Sequence, residues 1–566
     1  MIPIVLCLAL VCAVLVLRAA RRKKVFVEGL PEVPGSHFLT GHFHIFRLLL
    51  NSSSREFGSA QRILAYDHAN SDGACTFRVF GRQWISLTTP EAVRRALLTA
   101  HDRDLLPAQS RHGARLLGRR NLLVMRVSFD DSSEFAVCCI ISDVLVRSET
   151  CGQVLNVILP ALILLLLTQG REWRFWRATV HRAFTPAALK GMQARMAMVA
   201  SNLVESVVNR IDDDENLAMD VEELMKMVTL DTFGLTALGV DFRSCHTLTP
   251  SPVAAAFDFL SSEMLRRIKT MYLPTSHFYS LPTKANRRHK KESAAIRNVI
   301  DEAVRSRRQQ EKQTSGEAGE DDLMAHLFRA VDGDVSDETL SDMLMGLLFA
   351  GYETTSVALT YCLYCLAKNP GVEERAIEEI NAVLGRPSFD NVGPPSLIDP
   401  DQLLYCRAII METLRMYPPV IFTFRTLNEP MKLSGCVVPA GTNVFIPIWA
   451  IQRDENLFPK SLEFVPERWA EKGEGDSAWR ERQLLDGVTA DCDVPPGDKN
   501  AFLSFSGGAR SCVGRKFAMQ EAVIILALLL RSLKFEVEED YVVEPFREGM
   551  IQTPRGGIPM KISRRC

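Results

Sequence analysis

The sequence has almost no imbalance of charge and no regular spacing of cysteine. It contains 66 Lys and Arg against 68 Asp and Glu, a formal net charge of −2. It therefore lacks the basic surface of a general nucleic-acid-binding protein. Its 14 cysteines are dispersed along the chain, without the spacing of a disulfide framework or a zinc ribbon. These absences favour a protein of a reducing compartment with no nucleic-acid partner.

The chain also has no internal repeat, and its 24% of charged residues are too many for a multi-span membrane protein. Its 566 residues, 47% of them hydrophobic, can bury a large core, and we expect one large domain. Apolar residues recur at helical spacing through most of this body, and strand-like runs are short. The helical examples are 199–211, 217–238 and 373–384, and the strand-like runs are 76–87 and 437–448. A polar, glycine-containing stretch over 306–322 predicts an exposed loop.

The amino terminus carries an almost uninterrupted apolar run, residues 2–17, followed directly by basic residues at 18 and 21–24. Basic residues after the apolar run favour an uncleaved anchor with the main body cytosolic, so residues 1–24 are predicted to be a signal anchor. The run is slightly short for a bilayer core of ~30 Å, which suits the thinner endoplasmic reticulum membrane. Pro and Gly within 25–35 predict a stiff hinge before the main domain, 36–566. A cleaved signal or a buried helix is the alternative.

The chemistry is concentrated near the carboxyl end. Residues 505–514 read FSGGARSCVG and place Cys512 in a glycine-rich turn, directly before an apolar helix over 517–530. A cysteine at a helix N-terminus, near Arg510 and hydrogen-bonded by backbone amides, is pushed towards the thiolate, the form that ligates metals. Taken alone, these residues also allow a buried structural cysteine or a redox thiol.

This segment resembles the haem-binding signature of the cytochrome P450 monooxygenases, Phe-x-x-Gly-x-Arg-x-Cys-x-Gly. The matching positions are Phe505, Gly508, Arg510, Cys512 and Gly514. Five fixed positions would coincide by chance in a chain of this length with a probability of ~10^-4. One departure is Ala509, where the family often has proline. The resemblance implies haem (heme, iron protoporphyrin IX) as cofactor, bound by these residues, with Cys512 as the axial metal ligand.

Two further segments resemble motifs that support the haem-side loop in this family. Glu412 and Arg415 resemble the Glu-x-x-Arg motif, and they lie three residues apart on one helix face. Arg468 lies in a segment, 466–469, that resembles the family's Pro-Glu-Arg-Phe-like stretch. The resemblance implies a structural triad of Glu412, Arg415 and Arg468, with a role in folding.

Residues 350–356, AGYETTS, resemble the Ala/Gly-Gly-x-Glu/Asp-Thr-Thr motif of the family's long central helix. Ser336 is a predicted N-cap of that helix. A glycine followed by hydroxyl residues within an apolar helix predicts a local break that could admit dioxygen. The resemblance implies that Thr354, with Glu353 and water, delivers protons as the O–O bond cleaves. Hydroxyl groups bonded back to the carbonyls of an ordinary helix are the structural alternative.

Haem carries two propionates, which call for cations and hydrogen-bond donors. Trp173 and Arg177 are four residues apart on one predicted helix face and resemble the family's Trp-x-x-x-Arg motif. Arginine offers a bidentate fork and indole an N–H donor. Arg425 and Arg510 occupy positions that contact the propionates in the family. The four residues together suggest a clamp for the haem carboxylates.

One segment departs from the family pattern. The stretch 116–123 is followed in the family, within a few residues, by the helix that begins here at 170–173. In this chain residues 124–169 intervene, far more than a usual connection of ~4 to 6 residues. We interpret 124–169 as an anomalous insertion and hypothesise a retained intron or an error in the gene prediction. A second membrane-touching segment is the alternative.

The resemblance implies the cytochrome P450 fold, mainly α with a small β region, as a single large catalytic domain behind the membrane anchor. It implies a haem-thiolate monooxygenase that inserts one oxygen atom from dioxygen into an apolar small-molecule substrate near membrane lipid. Few residues follow the haem motif, so electrons are expected from a separate NADPH-cytochrome P450 reductase, docking around Arg510, Arg515 and Lys516. A haem-thiolate isomerase or dehydratase, which would not need Glu353 and Thr354, and a non-catalytic haem sensor are the alternatives.

Overall fold

A computed structural model of the 566-residue chain describes the following parts of it. They are residues 73–79, 82–99, 170–213, 217–269, 282–313, 322–330, 335–386, 398–433, 436–472, 479–481, 501–546 and 551–565, with residues 32 and 69. The predicted anchor, the predicted hinge apart from Glu32, and the insertion 124–169 lie outside the described residues.

Most of the described chain is helical. The helices are α1 (Pro90–Thr99), α2 (Gly170–Ala183), α3 (Pro186–Asp213), α4 (Val221–Phe233), α5 (Ser244–Thr247), α6 (Pro252–Lys269), α7 (Lys284–Gln313), α8 (Leu323–Ala330), α9 (Asp337–Lys368), α10 (Pro370–Leu384), α11 (Leu404–Met416), α12 (Ile448–Ile451) and α13 (Arg515–Ser532). Short 3-10 turns occur as well, at Pro400–Gln402, Pro466–Arg468 and Gly508–Arg510. The described residues therefore form a mainly α protein, as predicted.

The strands are short and lie in small sheets. They are β1 (Ala74–Val79), β2 (Arg82–Leu87), β3 (Ala218–Asp220), β4 (Thr423–Thr426), β5 (Met431–Leu433), β6 (Cys436–Val438), β7 (Asn443–Ile446), β8 (Ala470–Lys472), β9 (Trp479–Glu481), β10 (Leu533–Glu536), β11 (Pro545–Phe546), β12 (Thr553–Pro554) and β13 (Pro559–Arg564). The largest described sheet has the order β1-β2-β7-β4, with β2 and β7 parallel and the other pairs antiparallel. A second sheet, β10-β13-β3, joins the carboxyl end of the chain to its middle. The small β region that we predicted is therefore present.

Helix α9 lies at the centre of the described core. It is apolar on all sides, as expected of a helix that is covered all round, and it packs against α4, α7, α11 and α13. Ser336 is its N-cap, as predicted, because its hydroxyl oxygen accepts a hydrogen bond from the Thr339 N–H at 3.3 Å. A methyl group at Gly351 would lie 2.5 Å from the ring of Phe233. Gly351 therefore allows the close approach of α4 to α9.

Two local predictions were wrong. The stretch 306–322 was expected to be a loop, but its first part, 306–313, belongs to α7, which continues to Gln313 and packs against α6 and α9. Residues 314–321 of that stretch lie outside the described residues. The break expected in the central helix is also absent, since α9 runs unbroken from Asp337 to Lys368. Its hydroxyl groups are bonded back to carbonyls one turn earlier: Thr355 Oγ1 donates to the Gly351 carbonyl at 2.9 Å. This is the alternative that the sequence left open.

Among the residues that the structure describes, none of the helices combines the length and apolar character required to cross a membrane.

Candidate active site

The Cys512 loop, residues 501–514, leads directly into α13 and contacts the end of α11, where the Ser504 hydroxyl lies 2.7 Å from the Leu414 carbonyl oxygen. Its backbone folds back on itself, because the Cys512 N–H donates to the Phe505 carbonyl at 2.9 Å. Ser506 and Gly508 both adopt left-handed backbone conformations, with φ of 56° and 66°. The turn ends at Gly514, the N-cap of α13. The residues of the predicted signature therefore form a tight turn before an apolar helix, as the sequence suggested.

Gly508 is in direct contact with α1. A Cβ atom at this position would lie 1.9 Å from the carbonyl oxygen of Leu97. Only glycine combines the positive φ with this close approach. The loop is thereby fixed against the last turn of α1.

Cys512 is exposed to solvent as a residue, but protein atoms also surround its sulfur at longer range. Burial raises the pKa of Cys512 above its ordinary value, and this outweighs the lowering effects of the Gly514 backbone N–H and of the Arg177 and Arg515 guanidinium groups. From the sequence, the pKa of Cys512 was expected to be lowered, so that prediction was wrong. Local amides and cations were visible in the sequence, whereas desolvation by distant segments was not.

The predicted carboxylate clamp converges on the same loop. Arg177, on α2, donates through Nη1 to the Ser511 carbonyl at 2.7 Å. The Arg510 guanidinium carbon lies 4.0 Å from the ring centroid of Trp173, which is also on α2. Arg425 is fully buried on β4, and its Nη2 donates to Ser506 Oγ at 2.9 Å. Arg510 thus belongs to the Cys512 loop, and the other three predicted residues lie beside it.

The Glu412, Arg415 and Arg468 side chains form a fully buried cluster. Arg415 donates to both Glu412 carboxylate oxygens, each at 2.9 Å. Arg468 Nε donates to Glu412 Oε1 at 3.0 Å. The predicted triad is therefore in direct contact, with α11 and the turn Pro466–Arg468 supplying its members.

The cluster has a fourth member, Trp469, that was not predicted from the sequence. The indole Nε1 of Trp469 donates to Glu412 Oε2 at 2.8 Å. Trp469 follows Arg468 directly, and a tryptophan next to a buried arginine was the available signal, because buried indole N–H groups usually find an acceptor.

Glu353 and Thr354 form a second group, on α9. Glu353 is buried, and Ser261 Oγ on α6 donates to its Oε1 at 3.2 Å. Burial raises the pKa of Glu353 to about 8, with a further raising effect from the Asp258 carboxylate and a lowering effect from Lys226. The Thr354 hydroxyl donates to the Ala350 carbonyl at 2.8 Å. This group is connected with the Cys512 loop through the packing of α9 on α13.

Lys226 connects the surroundings of Glu353 with the protein surface. Its Nζ lies 3.0 Å from Glu222 Oε1 and 3.2 Å from Asp258 Oδ1. The Asp258 side chain is 45% exposed, whereas that of Lys226 is 19% exposed. The buried acid therefore lies near an ion-paired, partly exposed cluster that acts on it electrostatically. The sequence did not predict this cluster.

Comparison with known proteins identifies the architecture. The family profile described as Cytochrome P450 matches residues 163–561, most of the chain. The chain belongs to the cytochrome P450 family. The match covers the central helix, the triad and the Cys512 loop, and it begins within the segment that we interpret as an insertion.

Several curated relatives are similar to this P450 over two thirds or more of their length. A cytokinin hydroxylase of Arabidopsis thaliana is 29% identical over 67% of this chain and 68% of its own. An 11-oxo-beta-amyrin 30-oxidase of Glycyrrhiza uralensis is 27% identical over 69% and 70%. Secologanin synthase 2 of Catharanthus roseus is 28% identical over 75% and 78%.

Membership of the family establishes the reaction class. This P450 is an oxidoreductase, a haem-thiolate monooxygenase that uses dioxygen, an organic substrate and electrons from a redox partner. The residues present fit the cofactor. An accessible thiol with a backbone amide and guanidinium groups beside it suits an axial thiolate. Adjacent arginines with an indole N–H provide the donors that two carboxylates require.

Proposed function

We propose that this P450 is a microsomal, membrane-anchored monooxygenase that inserts one oxygen atom into an apolar substrate. In this proposal Cys512 is the axial ligand, and Trp173, Arg177, Arg425 and Arg510 bind the haem propionates. Phe505, Gly508 and Gly514 shape the loop. The observation that carries the proposal is the convergence of α2, β4 and the Cys512 loop, which brings these cations and the thiol together.

When bound, a haem with a thiolate ligand supplies the activation of dioxygen, because the thiolate donates electron density that favours O–O cleavage. The protein holds the thiolate. The Gly514 N–H and the Arg177 and Arg515 guanidinium groups all favour the anionic sulfur. These groups counteract the desolvation that raises the pKa of Cys512.

Glu353 and Thr354 are proposed to handle protons. A buried carboxyl with its pKa raised to about 8 holds a proton near neutral pH and can release it when a stronger base forms nearby. Ser261 binds one oxygen of this carboxyl. The other oxygen, Oε2, has no protein hydrogen-bond partner among the described residues, so it is the atom from which a proton could pass towards Thr354 through water.

The proposed redox partner is an NADPH-cytochrome P450 reductase, with Arg515 and Lys516 on its docking face. Both side chains are exposed at the start of α13, beside the Cys512 loop. Arg510 was included in this face by the sequence argument, but it is buried against Trp173. A buried guanidinium cannot contact another protein directly. The proposed docking face is therefore restricted to Arg515 and Lys516.

We also propose that residues 1–24 anchor the protein in the endoplasmic reticulum membrane with the catalytic domain in the cytosol. The apolar run 2–17 and the basic residues after it support this orientation. A substrate that partitions into lipid would then reach the enzyme from the membrane.

The assignment of Cys512 is tested by the carbon-monoxide difference spectrum of the reduced, haem-loaded protein. We expect a strongly red-shifted Soret band for the full chain and its complete loss in Cys512→Ser, because an alcohol does not replace a thiolate as donor. The matched control is Cys436→Ser, which alters a partly buried cysteine on β6. A red-shifted band that persists in Cys512→Ser would refute the proposal.

A further inference from the structure

Gln452 occupies the space between α11 and the Cys512 loop. It directly follows α12 and is fully buried. A buried side-chain amide must satisfy two donors and an acceptor, and each one that is left unsatisfied is costly. The partners of Gln452 therefore indicate what its side chain does.

The NH₂ group of Gln452 binds the carboxyl end of α11. Its Nε2 donates to the Leu414 carbonyl at 3.1 Å and to the Arg415 carbonyl at 3.0 Å. The last carbonyls of a helix have no partner within the helix. Gln452 supplies one hydrogen bond to each of two such carbonyls, at the turn that carries Arg415 of the triad.

The carbonyl oxygen of Gln452 binds the start of the Cys512 loop. Its Oε1 accepts a hydrogen bond from the Leu503 N–H at 2.7 Å. The Ser504 hydroxyl lies 3.0 Å from the same Oε1 and 2.7 Å from the Leu414 carbonyl oxygen. One amide group thus joins the end of α11 to the loop that leads to Cys512.

The Gln452 backbone is held by the triad as well. Arg415 Nη1 donates to the Gln452 carbonyl at 2.8 Å and to the Ser461 carbonyl at 2.7 Å. The triad therefore fixes the main chain of Gln452, and Gln452 fixes the loop. The connection from Glu412 to Leu503 runs through buried hydrogen bonds at each step.

We propose that Gln452 is a positioning residue that transmits the rigidity of the triad to the Cys512 loop and so maintains Cys512 as a thiolate ligand. This inference rests on the proposed role of Cys512. Left-handed backbone at Ser506, which is not a glycine, persists only where its surroundings hold it in place. Gln452 holds the amino-terminal side of this strained stretch, Arg425 holds Ser506, and Arg177 holds Ser511.

The test is Gln452→Met, a substitution that keeps the length of the side chain and removes its hydrogen bonds. We expect the reduced, haem-loaded variant to show a several-fold smaller ratio of the red-shifted carbon-monoxide band to the blue-shifted band of a protein that has lost thiolate ligation. We also expect faster amide hydrogen exchange over residues 501–512. Both readouts report the loop and do not depend on turnover.

The matched control is Glu379→Gln on α10. Glu379 binds the other end of α11, its amino terminus. There its carboxylate accepts hydrogen bonds from the Tyr405 and Cys406 N–H groups at 2.7 and 2.9 Å. A general weakening of α11 would alter both variants alike. A positioning role predicts loss of the thiolate band in Gln452→Met and an unchanged band ratio in Glu379→Gln.

A second variant covers the possibility that Gln452→Met does not fold. Ser504→Ala removes one hydroxyl from a partly buried position, and we expect a change in the same direction that is smaller. An unchanged band ratio in both Gln452→Met and Ser504→Ala, with the red-shifted band present in the wild type, would overturn the role of Gln452 alone. A wild type without that band would instead overturn the proposed role of Cys512.

Discussion

Single buried acidic residues differ in whether the surrounding protein compensates their charge. The Glu412 carboxylate accepts hydrogen bonds from two guanidinium groups and an indole. The Glu353 carboxyl is buried with one hydroxyl donor and a nearby Asp258 carboxylate. Burial first, and then the Asp258 carboxylate, raises its pKa to about 8, although the Ser261 hydrogen bond acts in the opposite direction. The first arrangement pairs a buried carboxylate with two guanidinium groups, whereas the second favours the protonated form of Glu353.

At Glu353 the raised pKa predicts a specific dependence of stability on pH. Because the folded state holds this proton up to about pH 8 and the unfolded state releases it near 4.5, stability attributable to Glu353 falls as the pH rises between these values and is level above them. We expect Glu353→Gln to reduce that fall. Urea unfolding of wild type and variant across this range measures it.

The groups that face Glu353 are unchanged in this comparison. They are Glu222 and Lys226 on α4 and Asp258 and Ser261 on α6. Their titration is common to both proteins, so the difference between the two curves isolates residue 353. Parallel curves would contradict the prediction.

A second prediction concerns Glu412, whose carboxylate is paired with two buried guanidinium groups. In Glu412→Gln the Arg415 and Arg468 guanidinium groups would remain buried without their carboxylate, and breaking a buried pair in this way costs ~3–5 kcal/mol. We expect a loss of that size in the free energy of unfolding, measured with urea. The control is Glu536→Gln, which removes an exposed pair with Lys534, both side chains being about half exposed. That change should cost at most ~1 kcal/mol.

Among elements, the Cys512 loop and α1 approach each other very closely at Gly508. At Gly508 the positive φ and the Leu97 carbonyl both exclude a side chain. Gly441 has a similar φ of 80°, but an added Cβ there meets nothing within 4 Å. Comparing an alanine substitution at each glycine therefore separates the loss of stability caused by the backbone conformation from the loss caused by a steric clash.

We predict that Gly441→Ala loses about 1–2 kcal/mol of stability, the cost of a left-handed conformation for a residue with a Cβ. Gly508→Ala should lose clearly more, because α1 or the loop must also move. It should also weaken the red-shifted carbon-monoxide band, which Gly441→Ala should leave intact. Equal losses of stability in the two variants would show that the contact with α1 is of little consequence.

At the same scale, the central helix shows how a motif can be recognised while its geometry is misjudged. The segment 350–356 lies on the long helix that it predicted. Its hydroxyl groups bond back to carbonyls of the same helix, and its glycine accommodates Phe233 of α4. The structure therefore shows an unbroken helix at this motif.

At the scale of the whole molecule, the insertion 124–169 remains a hypothesis, since it lies outside the described residues. The helix after it, α2, carries Trp173 and Arg177 and reaches the Cys512 loop. The loop and α2 are thus placed together in the full-length chain.

We predict that the mature transcript lacks the codons for 124–169 and that a variant without these residues shows the red-shifted carbon-monoxide band at least as strongly as the full chain. Joining 123 to 170 restores a connection of ordinary length. Sequencing of the mature message decides the first part, and the difference spectrum decides the second. A mature message that retains these codons in most copies would contradict the retained-intron hypothesis.

The sequence by itself determined the family, the helical class and the candidates for the site. The reason is that these signals are local. A cysteine loop, a Glu-x-x-Arg pair and a helix cap such as Ser336 are formed by residues within a few positions of one another. The order of residue types along the chain is therefore enough to predict them. The family profile and the described fold agree with this reading.

Only the tertiary structure decided how these local pieces act on each other. Arg177 binds Ser511 across 334 residues, and Gln452 binds Leu503 across 51. Neither partner can be inferred from spacing. The direction of the Cys512 pKa likewise depends on how much protein surrounds the sulfur, which is a property of segments brought together from the whole chain. Burial and hydrogen bonds between distant segments exist only once the chain has folded, and they determine how the site is held.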